Sequence, residues 1–374
     1  MTSKHLHIVA LDVPYPADYG GAIEMFNKIK WLHHLGYKIH LHCFTSKRSP
    51  QDILDDYCEE VFYYTRQPWS RMKECFLPYI VRSRSSKNLL TNLLKDDYPI
   101  LLEGIHCTYF LHIGALKNRK VFVRLHNTEF NYYNKLSENE SDVFKKMYYR
   151  IESKLLQRYE RKLADKAIFL AMSRTDEAIY KNTFKAKDVR FLPPFVGWEK
   201  VAEPVGKGNF CLYHGNLSVN ENEKAASWLL TNVFNDINIP LVIAGSNPSE
   251  ELEKLAHVNN NTCLVSNPSE KEMQDLIGKA QINILPSFNN TGIKLKIINA
   301  LYTGRHCLVN PAAQEGAGIE NVCHVAGDAH SFKEKAAELY GEVYNAQDIA
   351  RRQELLNNRY CNEKTAIQLI SWLH

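Results

Sequence analysis

The sequence predicts an α/β protein of two Rossmann-like βαβ domains that face one another across a cleft. The chain has 374 residues, more than a single hydrophobic core usually organises. Short β-branched and aromatic strands alternate with helical stretches in both halves, and several strands are apolar on both faces, which is typical of buried parallel strands. A Pro- and Gly-rich segment without clear periodicity separates the halves.

Six strands are predicted in the first half. They cover 5–13, 38–45, 60–65, 99–105, 120–126 and 166–172. The clearest helix is 21–36, where Ile23, Phe26, Ile29 and Leu32 recur at helical spacing and Gly36 stands at the C-terminal cap position. A long amphipathic stretch, 141–165, is interpreted as a helix with a solvated charged face.

The second half repeats this pattern. Its predicted strands cover 210–216, 240–246, 262–266, 282–288, 305–310 and 323–327. We therefore predict an N-terminal domain at 1–193, a linker at 194–209, and a second domain at 210–347. The remaining segment, 348–374, is helical by composition. One arrangement that we consider is that this segment packs against the N-terminal domain.

Composition excludes several classes of protein. The formal net charge is only +4, and no basic-aromatic block matches a known nucleic-acid module, so we expect no nucleic-acid partner. Nine cysteines are scattered singly without CxxC pairs, which favours reduced thiols in a cytoplasmic protein. The N-terminal apolar run is too short for a signal peptide, and no stretch is long enough to span a bilayer.

The first half offers a glycine loop at the end of its first strand. Gly20 and Gly21 lead from a proline-stiffened loop into the first helix, where glycine lets the backbone approach a ligand. An ordinary strand-to-helix turn is the alternative. The spacing is not GxGxxG and no acidic residue follows the second strand, which argues against a nicotinamide oxidoreductase.

Polar residues also cluster where the fifth strand ends. Arg124, His126, Asn127 and Glu129 follow one another closely there. Ligands of open α/β sheets bind at the carboxyl ends of strands, so we predict a functional site at this cluster.

Two further strand ends carry glycines in the second half. Gly215 and Asn216 end one strand, and Gly245 and Ser246 end the next, each before a helical stretch. A ligand-binding loop and a simple turn with a helix cap both remain open here.

Two lysines interrupt the apolar segment 291–301. Thr291 and Gly292 stand where a helix should begin, and Lys294 and Lys296 fall in its first turn. Cations at a helix N-terminus oppose the helix dipole unless an anion is bound. We predict that Lys294 and Lys296 face a diphosphate; the alternative is that both extend into solvent.

Taken in order, these segments resemble GT-B glycosyltransferases, specifically the retaining glycosyltransferase family 4, over nearly the whole chain. The likeness depends on DYGGAIEMFNKIKWLHHLGYKIHLHCF, RLHNTE, AMSRTDEAIY, YHGNLSVNENEKAASWL and LPSFNNTGIKLKIINALYTGRHCLVN. The resemblance implies a UDP- or GDP-sugar donor on the C-terminal domain and a glycan or lipid-linked glycan acceptor on the N-terminal domain. It also implies transfer with retention of configuration, without a bound metal or other cofactor.

The resemblance also implies roles for particular residues. Gly20 and Gly21 would approach the donor phosphates or the transferred sugar, and His126 matches the family's active-site histidine. The remaining implied roles are Gly215 and Asn216 under the diphosphate, Gly245 and Ser246 on the base side, and Thr291, Gly292 and Ile293 over the phosphate and sugar. On the acceptor side we expect Arg124 and Asn127, with Glu129 orienting the acceptor or steadying the loop.

The chain departs from the family pattern at two places. The family has a loop glutamate followed seven residues later by a Glu-Ala pair, whereas here no acidic residue stands at the earlier place and Asn299-Ala300 stands at the later one. Asn299 would take over the contact with the ribose. Asn216 replaces the usual phosphate-binding arginine, and the paired lysine is also missing. We expect Lys294 and Lys296 to supply the lost charge.

The stretch 66–87 carries six Lys or Arg residues, one Glu and three aromatic residues. Such a mixture suits an anionic membrane surface, and a solvated insertion is the alternative. Two rival functions also remain: a catalytically weak GT-B protein that acts as a binding or assembly partner, and a nucleotide-sugar epimerase of the same architecture.

Overall fold

The computed structural model describes residues 4–46, 48–68, 76–140, 142–202 and 204–373, and these residues divide into two compact units. The N-terminal unit comprises 1–195 and the C-terminal helix from Asn362, and the C-terminal unit comprises Val196–Cys361. Most of the segment predicted as a linker therefore belongs to the C-terminal unit.

The described part of the N-terminal unit contains a parallel sheet in the order β3-β2-β1-β4-β5-β6-β7. Its strands are β1 His5–Ala10, β2 Lys38–Thr45, β3 Glu60–Thr65, β4 Ile100–Glu103, β5 Val121–Leu125, β6 Ile168–Ala171 and β7 Asp188–Phe191. Its helices are α1 Gly20–His34, α2 Tyr79–Arg82, α3 Lys87–Leu93, α4 Tyr109–His112, α5 Glu129–Asn139, α6 Val143–Leu163 and α7 Arg174–Asn182.

The six strands predicted in this half are confirmed, and α1 ends as expected, with Gly36 in the left-handed conformation at φ +82°. The seventh strand, β7, was missed. Its sequence DVRF is short, carries two charged residues and is followed, after Leu192, by two prolines, so its pattern resembles the following linker more than a buried strand.

The described part of the C-terminal unit holds a second parallel sheet, in the order β10-β9-β8-β11-β12-β13. Its strands are β8 Cys211–Asn216, β9 Leu241–Ser246, β10 Thr262–Ser266, β11 Ile282–Ile284, β12 His306–Val309 and β13 His324–Val325. Its helices are α8 Asn220–Trp228, α9 Glu250–Ala256, α10 Glu270–Lys279, α11 Leu295–Thr303, α12 Pro311–Gln314, α13 Ala329–Gly341 and α14 Ala346–Arg359.

The last helix, α15 Asn362–Leu373, packs on the N-terminal unit. Leu369 and Leu373 are buried among apolar side chains of β1 and α1, including Leu6 and Ile29. Burial of such side chains is the dominant favourable term in folding, so α15 completes the hydrophobic core of the N-terminal unit.

Both sheets reverse their strand order beside the first strand of their own unit. The reversal lies between β1 and β4 in one sheet and between β8 and β11 in the other. Chains that cross over in opposite directions leave a crevice at the carboxyl ends of these strands, which is where ligands of such sheets bind.

Candidate active-site residues of the two units

In the N-terminal unit, His126 lies one strand away from the reversal point and is held by a carboxylate. It follows β5, and its Nε2 lies 2.9 Å from Oε2 of Glu103, the last residue of β4. A carboxylate only accepts, so Nε2 of His126 carries the proton and donates it. Glu103 thus fixes both the tautomer and the ring orientation of His126.

A buried network of ion pairs lies beneath this histidine. Lys28 Nζ lies 2.8 Å from Glu24 Oε2 and 2.6 Å from Glu103 Oε1, and Arg124 Nε donates to Glu24 Oε1 at 2.9 Å. Burial by itself raises the pKa of Glu24, but the charges of Lys28 and Arg124 prevail and hold that pKa down to about 2. Every carboxylate oxygen of the network has a partner.

One group of side chains in the described residues has the spacing of metal ligands. Its potential ligand atoms, on Glu24, Glu103 and His126, lie within 4.8 Å of one another. The ammonium of Lys28 lies between the two carboxylates. These residues therefore form an ion-pair network rather than an open cation site. That the protein acts without a metal stays a prediction.

The structure contradicts the assignment of Arg124 to the acceptor side. Its side chain is fully buried, and besides Glu24 it donates to Leu192 O at 2.7 Å and Pro193 O at 2.9 Å. Its guanidinium is thus used to anchor the chain that follows β7. A charged residue at a strand end points either out or in, and sequence alone does not distinguish the two.

Glu129 also lies inside the unit, as the first residue of α5. Burial, and then the nearby carboxyls of Glu160 and Asp176, raise the pKa of Glu129 to about 8. Its side chain is hydrogen-bonded to Asn127, which is half-buried. Of the two predicted roles of Glu129, steadying the loop fits this placement, whereas orienting an acceptor does not.

Gly20 and Gly21 begin α1, as predicted. Tyr19 precedes them in an extended conformation, and no side chain caps the helix start at this residue. The same helix contributes Glu24 to the buried network, so the glycine loop and Arg124 are joined through one rigid element.

In the C-terminal unit, the end of β8 is organised by Asn222 of α8. Asn222 Nδ2 donates to Asn216 O at 2.9 Å, while Asn216 Oδ1 accepts from the backbone N–H and the hydroxyl of Ser218. A Cβ atom at Gly215 would meet the Asn222 side chain at 3.3 Å. Asn222 and the predicted pair Gly215 and Asn216 therefore form one packed loop.

Lys296 reaches this loop from α11. Its Nζ donates to Asn222 Oδ1 at 2.9 Å and to Tyr213 Oη at 3.2 Å, and it lies 4.7 Å from the centre of the Tyr213 ring. Both hydrogen-bond partners are neutral, and the carboxylate of Glu221, also on α8, acts on Lys296 through its charge and opposes the effect of burial on the pKa of the lysine. Burial lowers the pKa of Lys296 to about 8.

His214, which precedes Gly215 in β8, has an unsatisfied polar atom. The residue is buried, and its Nε2 makes no hydrogen bond within the described part of the chain. Burial, assisted by the charge of Lys296, lowers the pKa of His214 to about 3, so its ring is neutral at neutral pH. Buried polar atoms are normally paired, so the unpaired Nε2 of His214 requires an explanation.

Lys294 stands one position earlier than predicted. It is the N-cap residue of α11 rather than part of the first turn, and its Nζ contacts Thr291 O at 2.5 Å. Its ammonium therefore lies against the loop that precedes the helix. Gly292 in that loop has φ +66°, a conformation that glycine adopts readily, and Ile293 beside it is half-buried.

The loop before α11 is fixed by Glu221 of α8. Glu221 accepts from Ser287 Oγ at 2.6 Å and from Asn289 Nδ2 at 3.3 Å. Asn289 Oδ1 in turn accepts from the backbone N–H and the hydroxyl of Thr291. Since Asn222 lies next along α8, one helix turn positions both loops at the reversal point.

The structure also places three other predicted residues. A Cβ atom at Gly245 would lie 1.9 Å from Gly215 O in the paired strand, so close strand packing requires glycine there; Ser246 pairs with Asn216 in the same register. Asn299 is buried in α11 and accepts from Thr303 Oγ1 at 3.1 Å. Its predicted ribose contact stays a prediction.

Sequence reasoning missed five residues that organise these sites, although signals for some of them were present. They are Glu24, Lys28, Glu103, Glu221 and Asn222. Glu24 and Lys28 are spaced four apart among apolar residues of the first predicted helix, and Glu103 is the lone acid in a buried strand. Because a buried charge requires a partner of opposite charge, such residues in buried elements indicate an ion-pair network.

The segment 66–87, for which contact with a membrane was one of two interpretations, includes 69–75, which lie outside the described residues. Arg82 and Arg84 are buried, and Arg84 donates to Leu11 O and Ile80 O, so neither cation is available to a membrane surface. Among the described residues, no helix combines the length and the apolarity required to cross a bilayer.

Comparison with known proteins identifies relatives by sequence and by fold. No family model matches the chain. An uncharacterized 44.6 kDa protein in the cps region of Klebsiella pneumoniae is 28% identical over 343 residues, which cover 84% of each chain.

Solved structures show the same fold at low sequence identity. A glycosyltransferase from Rickettsia africae has a TM-score of 0.66 and 14% identity, over 100% of this chain and 98% of that one. HepE of Anabaena, solved with UDP and glucose, has a TM-score of 0.65 and 13% identity, over 99% of both chains. TarM has a TM-score of 0.57 and 13% identity; 76% of this chain matches 57% of TarM. The chain therefore has the GT-B fold that the sequence predicted.

Proposed function

We propose that this protein is a glycosyltransferase that moves a sugar from a nucleoside-diphosphate sugar to a glycan or lipid-linked glycan acceptor. The observation that carries the proposal is the enclosed ammonium of Lys296 at the reversal point of the C-terminal sheet. Its hydrogen-bond partners, Asn222 and Tyr213, are neutral. An anion is the ligand that would complement this charge.

A diphosphate suits this place chemically. Breaking a glycosyl–phosphate bond builds negative charge on the leaving diphosphate, and a fixed cation aimed at it stabilises the transition state. Lys296 would supply that cation from α11, and Lys294 would supply a second from the preceding loop. Gly215 would let the ligand approach the backbone at the end of β8. UDP- and GDP-sugars are the candidate donors.

The N-terminal unit would hold the acceptor and the transferred sugar. The Nε2–H of His126 donates its hydrogen bond to Glu103. The other ring nitrogen, Nδ1, and the backbone of His126 are therefore the groups that would contact a sugar hydroxyl. The buried network makes that orientation rigid, which is what positioning a reacting sugar requires. Transfer with retention of configuration, and membership of glycosyltransferase family 4, are parts of this proposal.

The relatives support the proposal at a coarser level. A relative in a cps (capsule) region fits the assembly of a polysaccharide, and HepE, which shares the fold, was solved with UDP and glucose. These likenesses favour a nucleotide-sugar donor and an acceptor in polysaccharide assembly.

Nucleotide binding tests the donor site directly. Purified protein would be screened by thermal shift with UDP, GDP, ADP and CDP, because a ligand that binds only the folded state raises Tm by mass action. We expect one diphosphate to raise Tm in wild type, and Lys296→Met to weaken its binding about tenfold or more. Lys271→Met, which removes an exposed cation of α10, is the matched control. Equal binding by all three proteins would contradict the donor site.

Turnover tests the reaction. Hydrolysis of UDP- and GDP-sugars would be followed with wild type and with Lys294→Ala, which should abolish turnover while the protein remains folded. Normal turnover in Lys294→Ala would remove that residue from the site.

A catalytically weak binding protein is the second candidate. The resembled family has two glutamates in and after this loop, whereas here no acidic residue stands at the earlier place and Asn299 stands at the later one, and this departure favours the binding protein. Nucleotide binding without hydrolysis of any sugar donor would select the binding protein over the enzyme.

A further inference from the structure

The outward face of α6 is apolar at its start and basic toward its end. Val143, Phe144, Met147 and Ile151 are exposed by 74%, 82%, 58% and 53%. At 100° per residue these side chains lie on one side of the first two to three turns. The cations that follow on the same side are Arg150, Lys154, Arg158, Arg161 and Lys162, and all five are exposed.

The acidic residues of α6 are turned inward. Glu152 and Glu160 are buried; Glu152 accepts from the backbone N–H of Tyr79, and Glu160 accepts from the backbone N–H of Phe130 and from Tyr180 Oη. The outer face of the helix therefore carries cations without acids. Asp142 precedes the helix, and its carboxylate caps it by accepting from the backbone N–H of Lys145.

The same contacts make α6 a rigid support. Leu156, Tyr159 and Leu163 are buried in the core of the N-terminal unit. Tyr149 of α6 packs against Tyr133 of α5, so the start of the helix is also held. Phe76, which is 89% exposed, stands only three residues before Tyr79, whose backbone contacts α6. The exposed apolar side chains thus project from a fixed surface rather than from a loose end.

We propose that this face of α6 binds the surface of an anionic lipid bilayer. Apolar side chains at one end of a helix enter the boundary between headgroups and acyl chains, while cations along the rest meet lipid phosphates. Within the described chain none of the five cations forms an ion pair. A protein partner would be expected to meet a mixture of charges, whereas a uniformly positive face complements an anionic membrane.

The surface is separate from the donor site, so its test does not depend on nucleotide binding. The full-length protein would be mixed with vesicles of phosphatidylcholine containing phosphatidylglycerol, and with vesicles of phosphatidylcholine alone, and sedimented at low and high salt. We expect binding to the anionic vesicles that weakens with salt. Equal binding to the neutral vesicles, or none to the anionic ones at low salt, would overturn the proposal.

Two variants separate the apolar and the basic parts of the face. Phe144→Ser with Met147→Ser, and Lys154→Glu with Arg158→Glu, should each reduce binding to anionic vesicles about tenfold or more. All four side chains are exposed, so folding should be retained, which the unchanged thermal unfolding of each variant would verify.

Matched controls lie on the C-terminal unit. Val258→Ser removes an exposed apolar side chain, and Lys254→Glu with Lys271→Glu reverses two exposed cations. Neither variant should change vesicle binding. If the two charge reversals weakened binding as much as the α6 variants do, the net charge of the protein would explain the binding, and the proposal would be contradicted. A dimer of wild type that Phe144→Ser dissociates would likewise contradict it, because the face would then be an interface between copies.

Discussion

Lys28 and Lys296 are two enclosed lysines that the molecule treats in opposite ways. Lys28 is fully buried between Glu24 and Glu103, so its charge is cancelled inside the N-terminal unit. Lys296 contacts the neutral groups of Tyr213 and Asn222. A charge cancelled by direct ion pairs holds a structure together, whereas a charge hydrogen-bonded only to neutral groups is suited to a ligand. The difference separates the scaffold beneath His126 from the candidate donor site.

Removing Lys28 should produce the largest effect on stability. Lys28→Met leaves Glu24 and Glu103 buried side by side without their shared cation, so we expect the free energy of unfolding to fall by about 3 to 5 kcal/mol. Urea unfolding at pH 7.5 measures it. Lys30→Met, on the exposed side of the same helix, should change stability by less than about 0.5 kcal/mol. Equal stability of both variants would show that the network is not structural.

Replacing Glu129 should raise the free energy of unfolding, whereas replacing Lys28 lowers it. Its pKa is raised to about 8 in the folded protein, above the ordinary value of 4.5, so the folded state binds the proton more tightly than the unfolded chain. That contribution is fully present below about pH 4.5 and is lost as the pH rises toward 8. Glu129→Gln should therefore be more stable than wild type at pH 7.5, by about 1 to 3 kcal/mol.

The pH dependence is the check on Glu129→Gln. The gain in its unfolding free energy should shrink as the pH is lowered to about 4.5, where the wild-type carboxyl is protonated in both states. Glu138→Gln, on the exposed face of the same helix, is the control. A gain that persists unchanged at low pH would mean that Glu129 is not a buried acid.

Protonation of Lys296 should control anion binding. Its pKa is lowered to about 8, so the ammonium loses its charge as the pH rises through that value. We expect the Kd of the best nucleoside diphosphate to rise several-fold, by about tenfold at most, between about pH 7 and about pH 9. The same titration with Lys296→Met corrects for ionisation of the nucleotide itself, and parallel pH profiles would disprove the role of Lys296.

The smallest effect is expected from Lys296→Met without ligand. Since no buried carboxylate depends on Lys296, its replacement by an apolar side chain should change the unfolding free energy by less than about 1 kcal/mol. Urea unfolding beside Lys28→Met makes the comparison direct. A loss as large as that of Lys28→Met would erase the distinction between the two lysines.

Much of the fold was readable from the sequence because buried parallel strands have a local pattern. Twelve predicted strands are present, whereas β7 was missed because its charged, four-residue sequence leads into prolines. The candidate site was less readable. Glycines and lysines at strand ends were found, but Arg124 was placed on the wrong side of its strand and Asn222 was overlooked.

The sequence by itself determined the two α/β units, their strands and the two groups of polar residues at strand ends, because hydrophobic periodicity and glycine placement act over a few neighbouring residues. Only the tertiary structure decided which charges cancel. Glu24 and Glu103 are 79 positions apart, yet they share Lys28, and Lys296 meets Asn222 across 74 positions. Electrostatic pairing depends on the distance between charges in space, and the order of the strands in the sheet sets that distance. No local sequence pattern specifies the order of the strands.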